Sequence, residues 1–325
     1  MLKVFLVIPS IRNLDFLRSW KNEFLDCHLI IVEDNEKRTL NSKSLKFASI
    51  SHFCHSDIKS DFGKNSWIFS RKNAGIRSYG FWKAYKAGAD VIITIDDDCY
   101  PTEKDFVNKH LQNLERKMPA GWFATYPNPK WMYTRGFPYQ VRDRYEVMLS
   151  HGLWSGALDL DAKTEMKLPR LLNEDIYPRL AQYIPFGQYY PMCSMNMAFK
   201  REIVPLMFFP MMGKRPDGLS WPFNRYDDIW AGLFSKKIMD HLKLGVISGS
   251  PFVNHKKASK IRDNHLKELK GMEINEILWK KIDEVILTKK TPKNCYVELA
   301  KKIEFPKGAY FKNLKEAMTI WANLF

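Results

Sequence analysis

Three short apolar runs mark predicted strands in the first part of the chain. Residues 4–8, 28–32 and 91–95 consist mainly of β-branched and aliphatic side chains, as in strands that are buried on both faces. Weaker patterns predict further strands at residues 66–70, 122–125 and 244–247.

Segments with helical periodicity alternate with these strands. Residues 14–24 place apolar side chains at helical spacing, and residues 73–87 are predicted to form a helix with Asn73 as its N-cap. Thr102 is predicted to cap a helix that continues to about residue 117, and residues 227–242 present one apolar face. Alternating strands and helices predict an α/β fold with a mostly parallel sheet flanked by helices.

The second half of the chain is less regular. Between residues 126 and 221, Pro, Gly, Trp, Tyr and Met are dense, which is typical of binding segments rather than scaffold. From residue 261 the chain is Lys-rich and helical, so residues 260–325 are predicted to form a helical extension packed on a domain of residues 1–259. The last helix carries an apolar stripe that either packs on this core or forms a dimer seam or a membrane-surface contact. The stripe consists of Tyr310, Phe311, Leu314, Met318, Trp321 and Leu324.

Composition narrows the class and the compartment. The chain is 45% hydrophobic and has 325 residues, enough for a large core, and no window reaches the ~18 apolar residues that a membrane span needs. The N-terminal run is stopped early by Pro9 and is not typical of a signal peptide. The five cysteines are scattered without CxxC spacing, which argues against a disulfide framework or a zinc site. We therefore expect a cytoplasmic protein.

The charge indicates an anionic ligand. A formal net charge of +15 attracts nucleotides, nucleic acid or an acidic membrane face. The basic residues are spread along the chain and no RNA-recognition motif is present, so we expect no nucleic-acid partner.

Three consecutive aspartates, Asp96, Asp97 and Asp98, directly follow the apolar run of residues 91–95. Adjacent carboxylates repel one another, and burying them unpaired is costly. A divalent cation with oxygen ligands is the usual relief at the end of a buried strand, and ligands of open α/β sheets lie at that edge. A solvated acidic turn is the alternative for such a run alone, and the apolar strand before it favours the metal site.

Other charged residues have both a functional and a structural interpretation. Asp34 follows the second predicted strand and either accepts a hydrogen bond from a base or ribose or serves a turn. Arg77 either faces a diphosphate or lies on a solvated helix face. Asp227 and Asp228 open a predicted helix, where they either interact with the helix dipole or accept a substrate hydroxyl. His255, in a predicted loop, is by itself more often structural than a ligand.

Motifs spread over nearly the whole chain resemble the plant reversibly glycosylated polypeptides, whose active members are UDP-arabinopyranose mutases. The first half of the chain carries VIPSIRNLDFL from Val7, HLIIVED from His28, TIDDDC from Thr94, TRGFPY from Thr134 and SHGLW from Ser150. The second half carries PMCSMNMAF from Pro191, RYDDIWAG from Arg225, HKKAS from His255 and CYVEL from Cys295. Residues 36–70 and the stretch before Arg225 follow the plant pattern only loosely, which bears mainly on the identity of the sugar.

The resemblance implies a GT-A-like fold, a UDP-sugar substrate and an Mn²⁺ or Mg²⁺ ion. It assigns the metal to Asp96, Asp98 and His255, and the reversibly glycosylated arginine to Arg135. The residues that it assigns to the nucleotide-sugar site are Pro9, Asp34, Arg77, Asp96, Asp97, His151 and Asn196. UDP-arabinose is the favoured sugar nucleotide, and a peripheral membrane contact and a homo-oligomer are left open.

The implied chemistry requires a group that holds the sugar while its ring opens and recloses. A guanidinium stays protonated and is a poor nucleophile, so Arg135 needs a carboxylate to take its proton, and Asp227 and Asp228 are the candidates. The leading hypothesis is a metal-dependent UDP-arabinopyranose mutase. The alternatives are a transferase with a separate glycan acceptor and a non-catalytic nucleotide-sugar-binding subunit.

Overall fold

The computed structural model describes residues 2–123, 133–167, 180–257 and 259–325. In these ranges the chain forms a mixed sheet flanked by helices. The strands are β1 (Val4–Ser10), β2 (His28–Glu33), β3 (Ile50–Phe53), β4 (Val91–Ile95), β5 (Cys99–Pro101), β6 (Lys117–Met118), β7 (Tyr145–Gly156), β8 (Gln182–Tyr183), β9 (Asn196–Lys200) and β10 (Gly245–His255). The helices are α1 (His55–Phe62), α2 (Arg77–Lys86), α3 (Phe106–Leu114), α4 (Ala162–Lys167), α5 (Asp227–Leu242), α6 (Ile261–Asp283), α7 (Pro292–Lys302) and α8 (Ala309–Ala322).

The sheet has the strand order β3-β2-β1-β4-β9-β7-β10-β5, with β6 paired to β7 and β8 to β10. Strands β3, β2, β1 and β4 are parallel, and so are β7 and β10, whereas β9 runs antiparallel to both of its neighbours. The predicted α/β class with helices flanking the sheet is confirmed, and the parallel pairing is concentrated in the half formed by β3, β2, β1 and β4. Since β1, β2 and β4 run the same way, their carboxyl ends meet at one edge of the sheet.

The apolar composition of the central strands explains their position. All of the side chains of β1 and β4 are buried, and the two faces of the sheet contribute to two separate apolar clusters. Helix α2 packs so closely on β1 that a Cβ atom at Gly80 would collide with Val7. The position therefore requires glycine for close packing of helix on strand.

The C-terminal helices continue the main core. Buried residues of α7 and α8 belong to the same apolar cluster as side chains of α5 and β9. In α8, Tyr310, Phe311, Leu314, Met318 and Trp321 are at most 6% exposed. The apolar stripe thus packs on the core of its own chain. The proposed boundary near residue 260 and homo-oligomer formation stay predictions.

None of the helices in the described ranges combines the length and the apolar character needed to cross a bilayer.

Several local predictions were wrong, and each has a physical reason. Residues 14–24 form only a 3₁₀ turn at Asp15–Arg18, because apolar spacing of three residues also fits a 3₁₀ geometry. Residues 66–70 are not a strand, since Gly63–Ile68 is a 3₁₀ helix and a short apolar run does not define its own secondary structure. The predicted strand at residues 122–125 is absent at residues 122 and 123 and otherwise lies outside the described residues.

Two further boundaries are set by contacts that are distant in sequence. Thr102 is not a helix cap: its hydroxyl donates to the Phe252 carbonyl at 2.9 Å. Helix α3 begins at Phe106, and the carboxylate of Glu23 accepts hydrogen bonds from the amides of Asp105 and Phe106 at 3.2 and 2.8 Å. The strand predicted at residues 244–247 extends to His255, which is therefore the last residue of β10 and not part of a loop.

Candidate functional site

Charged side chains gather where the parallel strands end. Asp34 follows β2, and the acidic cluster, defined as Asp96, Asp97 and Asp98, follows β4. His255 ends β10, which pairs with β5 just beyond the acidic cluster. This edge is where open α/β sheets bind their ligands.

Asp96 is paired with a buried arginine. The guanidinium of Arg77, on α2, contacts the Asp96 carboxylate through Nη2, and the Arg77 side chain is 0% exposed. Its Nη1 atom donates to Thr94 Oγ1 at 3.0 Å and to the Ser194 carbonyl at 2.6 Å, and its Nε atom donates to the Ala74 carbonyl at 3.0 Å. Arg77 is therefore fully engaged within the protein and fixes Asp96 in place. Its predicted contact with a diphosphate stays a prediction.

Asp97 and Asp98 share a second arginine. Ser10 Oγ donates to Asp97 at 2.9 Å, and Nη2 of Arg12 contacts Asp97 and lies 3.2 Å from Asp98 Oδ2. Burial, together with the negative charge of Asp96, raises the pKa of the Asp98 carboxyl. The repulsion among the three carboxylates is thus relieved in part by arginines, whereas the acidic run in the sequence had indicated a divalent ion alone.

Asp98 and His255 are suited to bind a divalent ion together. His255 Nε2 lies 3.8 Å from Asp98 Oδ1, and His255 Nδ1 is 2.8 Å from the Ala157 carbonyl. Because that carbonyl accepts a hydrogen bond from Nδ1–H, Nε2 carries the lone pair that faces Asp98. Two metal–ligand bonds of about 2.1 Å can bridge this separation. The donor set fits a metal ion that takes its other ligands from a bound diphosphate or water.

In the described ranges no three His, Cys, Asp or Glu side chains converge as a ready-made metal site. Asp96 faces Arg77, so its predicted role as a ligand would require it to leave this ion pair. The predicted Mn²⁺ or Mg²⁺ ion therefore stays a prediction, supported here by Asp98 and His255.

Asp227 and Asp228 lie at the N-terminus of α5, close to Arg77. Asn73 Nδ2 donates to Asp227 at 3.2 Å, and the Ser194 amide and hydroxyl donate to Asp228 at 3.0 and 3.1 Å. Burial, together with the negative charges of Asp227 and Asp159, raises the pKa of the Asp228 carboxyl to about 7. Burial also raises the pKa of Asp227. Asp228 can therefore hold or release a proton near neutral pH, as an acid–base group requires.

We expect the contribution of Asp228 to the stability of the protein to decrease as the pH rises from about 4 to about 7. An unfolded aspartate loses its proton near pH 3.9, whereas the folded Asp228 keeps it to about 7, so the folded state binds more protons in this range. The free energy of unfolding should fall by up to about 1.4 kcal/mol per pH unit from this group. The free energy of unfolding in urea of the unmodified protein, taken relative to that of Asp228→Asn, should therefore fall as the pH rises through this range, since the asparagine does not titrate.

The matched control for this measurement is Asp217→Asn, which changes an exposed aspartate paired with Arg215. Its pH dependence should follow that of the unmodified protein. Parallel curves for Asp228→Asn and the unmodified protein would contradict the assignment of the raised pKa to Asp228.

Asp34 and Pro9 lie inside the fold at this edge. Asp34 is 5% exposed, and its carboxylate accepts a hydrogen bond from the Asn73 amide at 3.1 Å and lies 2.7 Å from His55 Nε2. Both carboxylate oxygens thus have protein partners. Pro9 is buried within β1, which continues to Ser10 rather than stopping at the proline. Their predicted contacts with the nucleotide stay predictions.

His151 and Asn196 belong to a buried hydrogen-bond network behind the edge. Asn196 is 0% exposed, donates to the Leu153 and Pro251 carbonyls at 2.8 and 2.9 Å, and lies 3.0 Å from His110 Nε2. His151 is 2% exposed, and burial lowers its pKa to about 4, so it is neutral at physiological pH. These contacts join β7, β9 and β10, and a direct contact with substrate stays a prediction.

Arg135 lies on a segment that meets the sheet away from this edge. Arg135 is exposed. The Arg135 segment, residues 133–144, joins the sheet beside β6 and the first residue of β7, Tyr145. The Ala120 amide and the Val141 carbonyl hold this segment there with a 2.9 Å hydrogen bond. Gly156, at the other end of the 12-residue strand β7, pairs with His255. Tyr145 and Gly156 are therefore about 36 Å apart along the strand, and the segment that carries Arg135 meets the sheet at the Tyr145 end. In the described residues no hydrogen bond joins Arg135 to the acidic cluster.

Several residues that hold the site together had no predicted role in the site. Arg12, Ser10 and Ser194 contact the aspartates, and none of them had a predicted role. Asn73, which also contacts an aspartate, was predicted only as a helix cap, and it does cap the turn before α2. Arg12 and Ser10 stand in the quoted motif VIPSIRNLDFL, which was the available signal.

Fold and site together define an α/β protein with a candidate ligand site at the carboxyl edge of its sheet, where acidic, basic and histidine side chains meet. The family model for reversibly glycosylated polypeptide matches residues 2–325, and the chain belongs to this family.

Curated plant relatives match over most of their length. The chain is 36% identical to probable UDP-arabinopyranose mutase 4 of Arabidopsis thaliana and to UDP-arabinopyranose mutase 1 of Oryza sativa subsp. japonica, covering 97% of this chain and 88% of each relative. It is also 36% identical to UDP-arabinopyranose mutase 1 of Arabidopsis thaliana, covering 97% of this chain and 90% of that protein. Among solved structures, 4-diphosphocytidyl-2C-methyl-D-erythritol synthase of Anaerococcus prevotii covers 83% of this chain and 99% of its own, with a TM-score of 0.35 and 10% identity.

Proposed function

We propose that this chain is a UDP-arabinopyranose mutase, which interconverts the pyranose and furanose forms of the sugar in UDP-arabinose. The observation that carries the proposal is its 36% identity to plant mutases over 97% of the chain. The Asp98–His255 pair at the carboxyl edge of the sheet supports a site for a diphosphate and its metal ion.

We further propose that the enzyme is metal-dependent and cytoplasmic. A divalent ion held by Asp98 and His255 would neutralise the charge that develops on UDP as the sugar leaves. All five cysteines are free and buried, which is typical of a reducing compartment.

The protein's own residues have distinct tasks in this proposal. Arg77 keeps Asp96 fixed, and Asp228, with its pKa near 7, takes up or returns a proton. If Arg135 carries the sugar, the bond between the anomeric carbon and UDP breaks with its electron pair on UDP. A bond to a guanidinium nitrogen forms, and the proton of that nitrogen passes to a carboxylate. While the sugar is held on nitrogen, the bond between the anomeric carbon and the ring oxygen breaks and that oxygen takes up a proton. Another hydroxyl of the same sugar then loses its proton and bonds to the anomeric carbon, which closes a ring of different size. A phosphate oxygen of UDP finally displaces the arginine nitrogen at the anomeric carbon, and the carboxylate returns the proton to that nitrogen.

One observation favours a second candidate, a transferase that moves the sugar to a separate acceptor. The Arg135 segment joins the sheet at the end of β7 opposite to His255, so its use as a sugar carrier requires a rearrangement or an arginine from another copy. A transferase would not need Arg135, and its release of UDP would depend on an added acceptor. The intact acidic cluster argues against a non-catalytic binding subunit.

Product analysis tests the proposed function. Incubated with Mn²⁺ and either UDP-arabinopyranose or UDP-arabinofuranose, the protein should give the same mixture of both forms, resolved by anion-exchange chromatography. Removal of the metal with a chelator should abolish conversion, and added Mn²⁺ should restore it. A parallel panel of other UDP-pentoses and UDP-hexoses defines the sugar.

No interconversion by protein that has been shown to bind Mn²⁺ would contradict the mutase. UDP release that requires an added glycan would instead support the transferase.

A further inference from the structure

Arg12 lies where a cation would neutralise Asp97 and Asp98 of the acidic cluster. Its guanidinium contacts Asp97 and lies 3.2 Å from Asp98, and its side chain is 43% exposed, whereas those of Asp97 and Asp98 are 6% and 16% exposed. In the part of the chain that the structure describes, these two carboxylates are the only hydrogen-bond partners of its guanidinium. Arg12 is thus held by the charge of the cluster alone, unlike the completely buried Arg77.

Asp98 lies between Arg12 and His255. The guanidinium approaches Asp98 Oδ2, and His255 Nε2 lies 3.8 Å from Asp98 Oδ1. A divalent ion at Asp98 and His255 would therefore lie next to the guanidinium, and like charges at that separation repel strongly in a partly buried site. Occupation of this position by the ion is expected to displace Arg12 from Asp98.

A diphosphate would provide the displaced guanidinium with a new partner. Arginine binds phosphate oxygens in a bidentate manner, and the half-exposed Arg12 side chain can turn without unpacking the core. Arg12 also lies directly after β1, at the edge of the sheet where ligands of such folds bind.

We propose that Arg12 is a resident counter-ion that couples metal binding to diphosphate binding. It neutralises Asp97 and Asp98 in the free protein and turns to the diphosphate when both ligands are bound. Each ligand then binds more tightly in the presence of the other, and the coupling is reciprocal. The inference rests on the proposed UDP-sugar site and gives Arg12 a positioning role in it.

Binding of Mn²⁺ to the full chain, measured with and without UDP, tests the inference. The electron paramagnetic resonance signal of free Mn²⁺ reports binding independently of activity. In the unmodified protein, UDP should increase the Mn²⁺ affinity by about tenfold or more. Arg12→Met should bind Mn²⁺ alone about fivefold more tightly, since no guanidinium competes for Asp98. UDP should then raise its Mn²⁺ affinity by a factor at least about threefold smaller than in the unmodified protein, because only the direct contacts between ion and diphosphate still couple the two ligands.

Arg18→Met is the matched control, because Arg18 pairs with exposed Asp15 in the same segment and should leave both affinities unchanged. An unmodified protein whose Mn²⁺ affinity does not respond to UDP would overturn the inference. So would Arg12→Met with unchanged Mn²⁺ affinity and unchanged coupling, although UDP and Mn²⁺ binding would still agree with the proposed function. Failure of the unmodified protein to bind UDP at all would overturn both.

Discussion

Replacing Arg77 with methionine should lower the free energy of unfolding by about 3–5 kcal/mol, because removal of one partner leaves charges without compensation in the interior. Arg77 is 0% exposed and contacts Asp96, Thr94 and Ser194. Its positive charge also lowers the pKa values of Asp227 and Asp228, so both carboxyls should retain their protons to higher pH in the variant. Urea unfolding followed by circular dichroism measures the loss.

A double-mutant cycle isolates the ion pair from the other contacts of Arg77. Because Asp96→Asn removes the charge that Arg77 neutralises, the double variant should be more stable than the sum of the single effects predicts, by more than about 1 kcal/mol. Arg18→Met removes an arginine from an exposed pair and should cost less than about 0.5 kcal/mol. An Arg77→Met variant as stable as Arg18→Met would contradict the structural role assigned to Arg77.

Replacing Arg135 with alanine should abolish the mutase reaction, with a loss of at least about a thousandfold, if this arginine carries the sugar during ring opening. The fold should be unaffected, because Arg135 is exposed in a turn. Chromatography of the products measures conversion, and intact-protein mass spectrometry measures the sugar attached to the protein. Arg144→Ala, an exposed arginine of the same segment, is the control and should retain conversion and labelling.

The outcome also addresses the distance between Arg135 and the acidic cluster. Normal conversion by Arg135→Ala would rule out the arginine as carrier and favour a route without it. If conversion is lost, mixing Arg135→Ala with Asp98→Asn tests the geometry, because each variant lacks one of the two parts. Activity in the mixture would show that the arginine of one copy serves the site of another, whereas an inactive mixture of correctly folded variants would favour a rearrangement within one chain.

The local pattern predicted the elements whose partners are nearby in sequence or that are buried throughout. The runs at residues 28–32 and 91–95 became β2 and β4, and residues 227–242 became α5 with the same limits. Where an end depends on a distant group, the pattern failed, as at α3, whose first amides donate to Glu23. Apolar spacing reports which side of a segment is buried, and several backbone conformations satisfy the same spacing over a short stretch.

Residue patterns along the chain were sufficient to predict the family, the α/β class and the position of three carboxylates at the end of a buried strand. The folded chain was needed to show which side chain faces each carboxylate: Arg77 for Asp96, Arg12 for Asp97, and Arg12 with His255 for Asp98. Apolar periodicity predicts the secondary structure and the buried side of a single segment, and it carries no information about which segments pack together. Charge pairing instead depends on which strands become neighbours, and β5 beside β10 brings His255 to Asp98 across almost half of the chain.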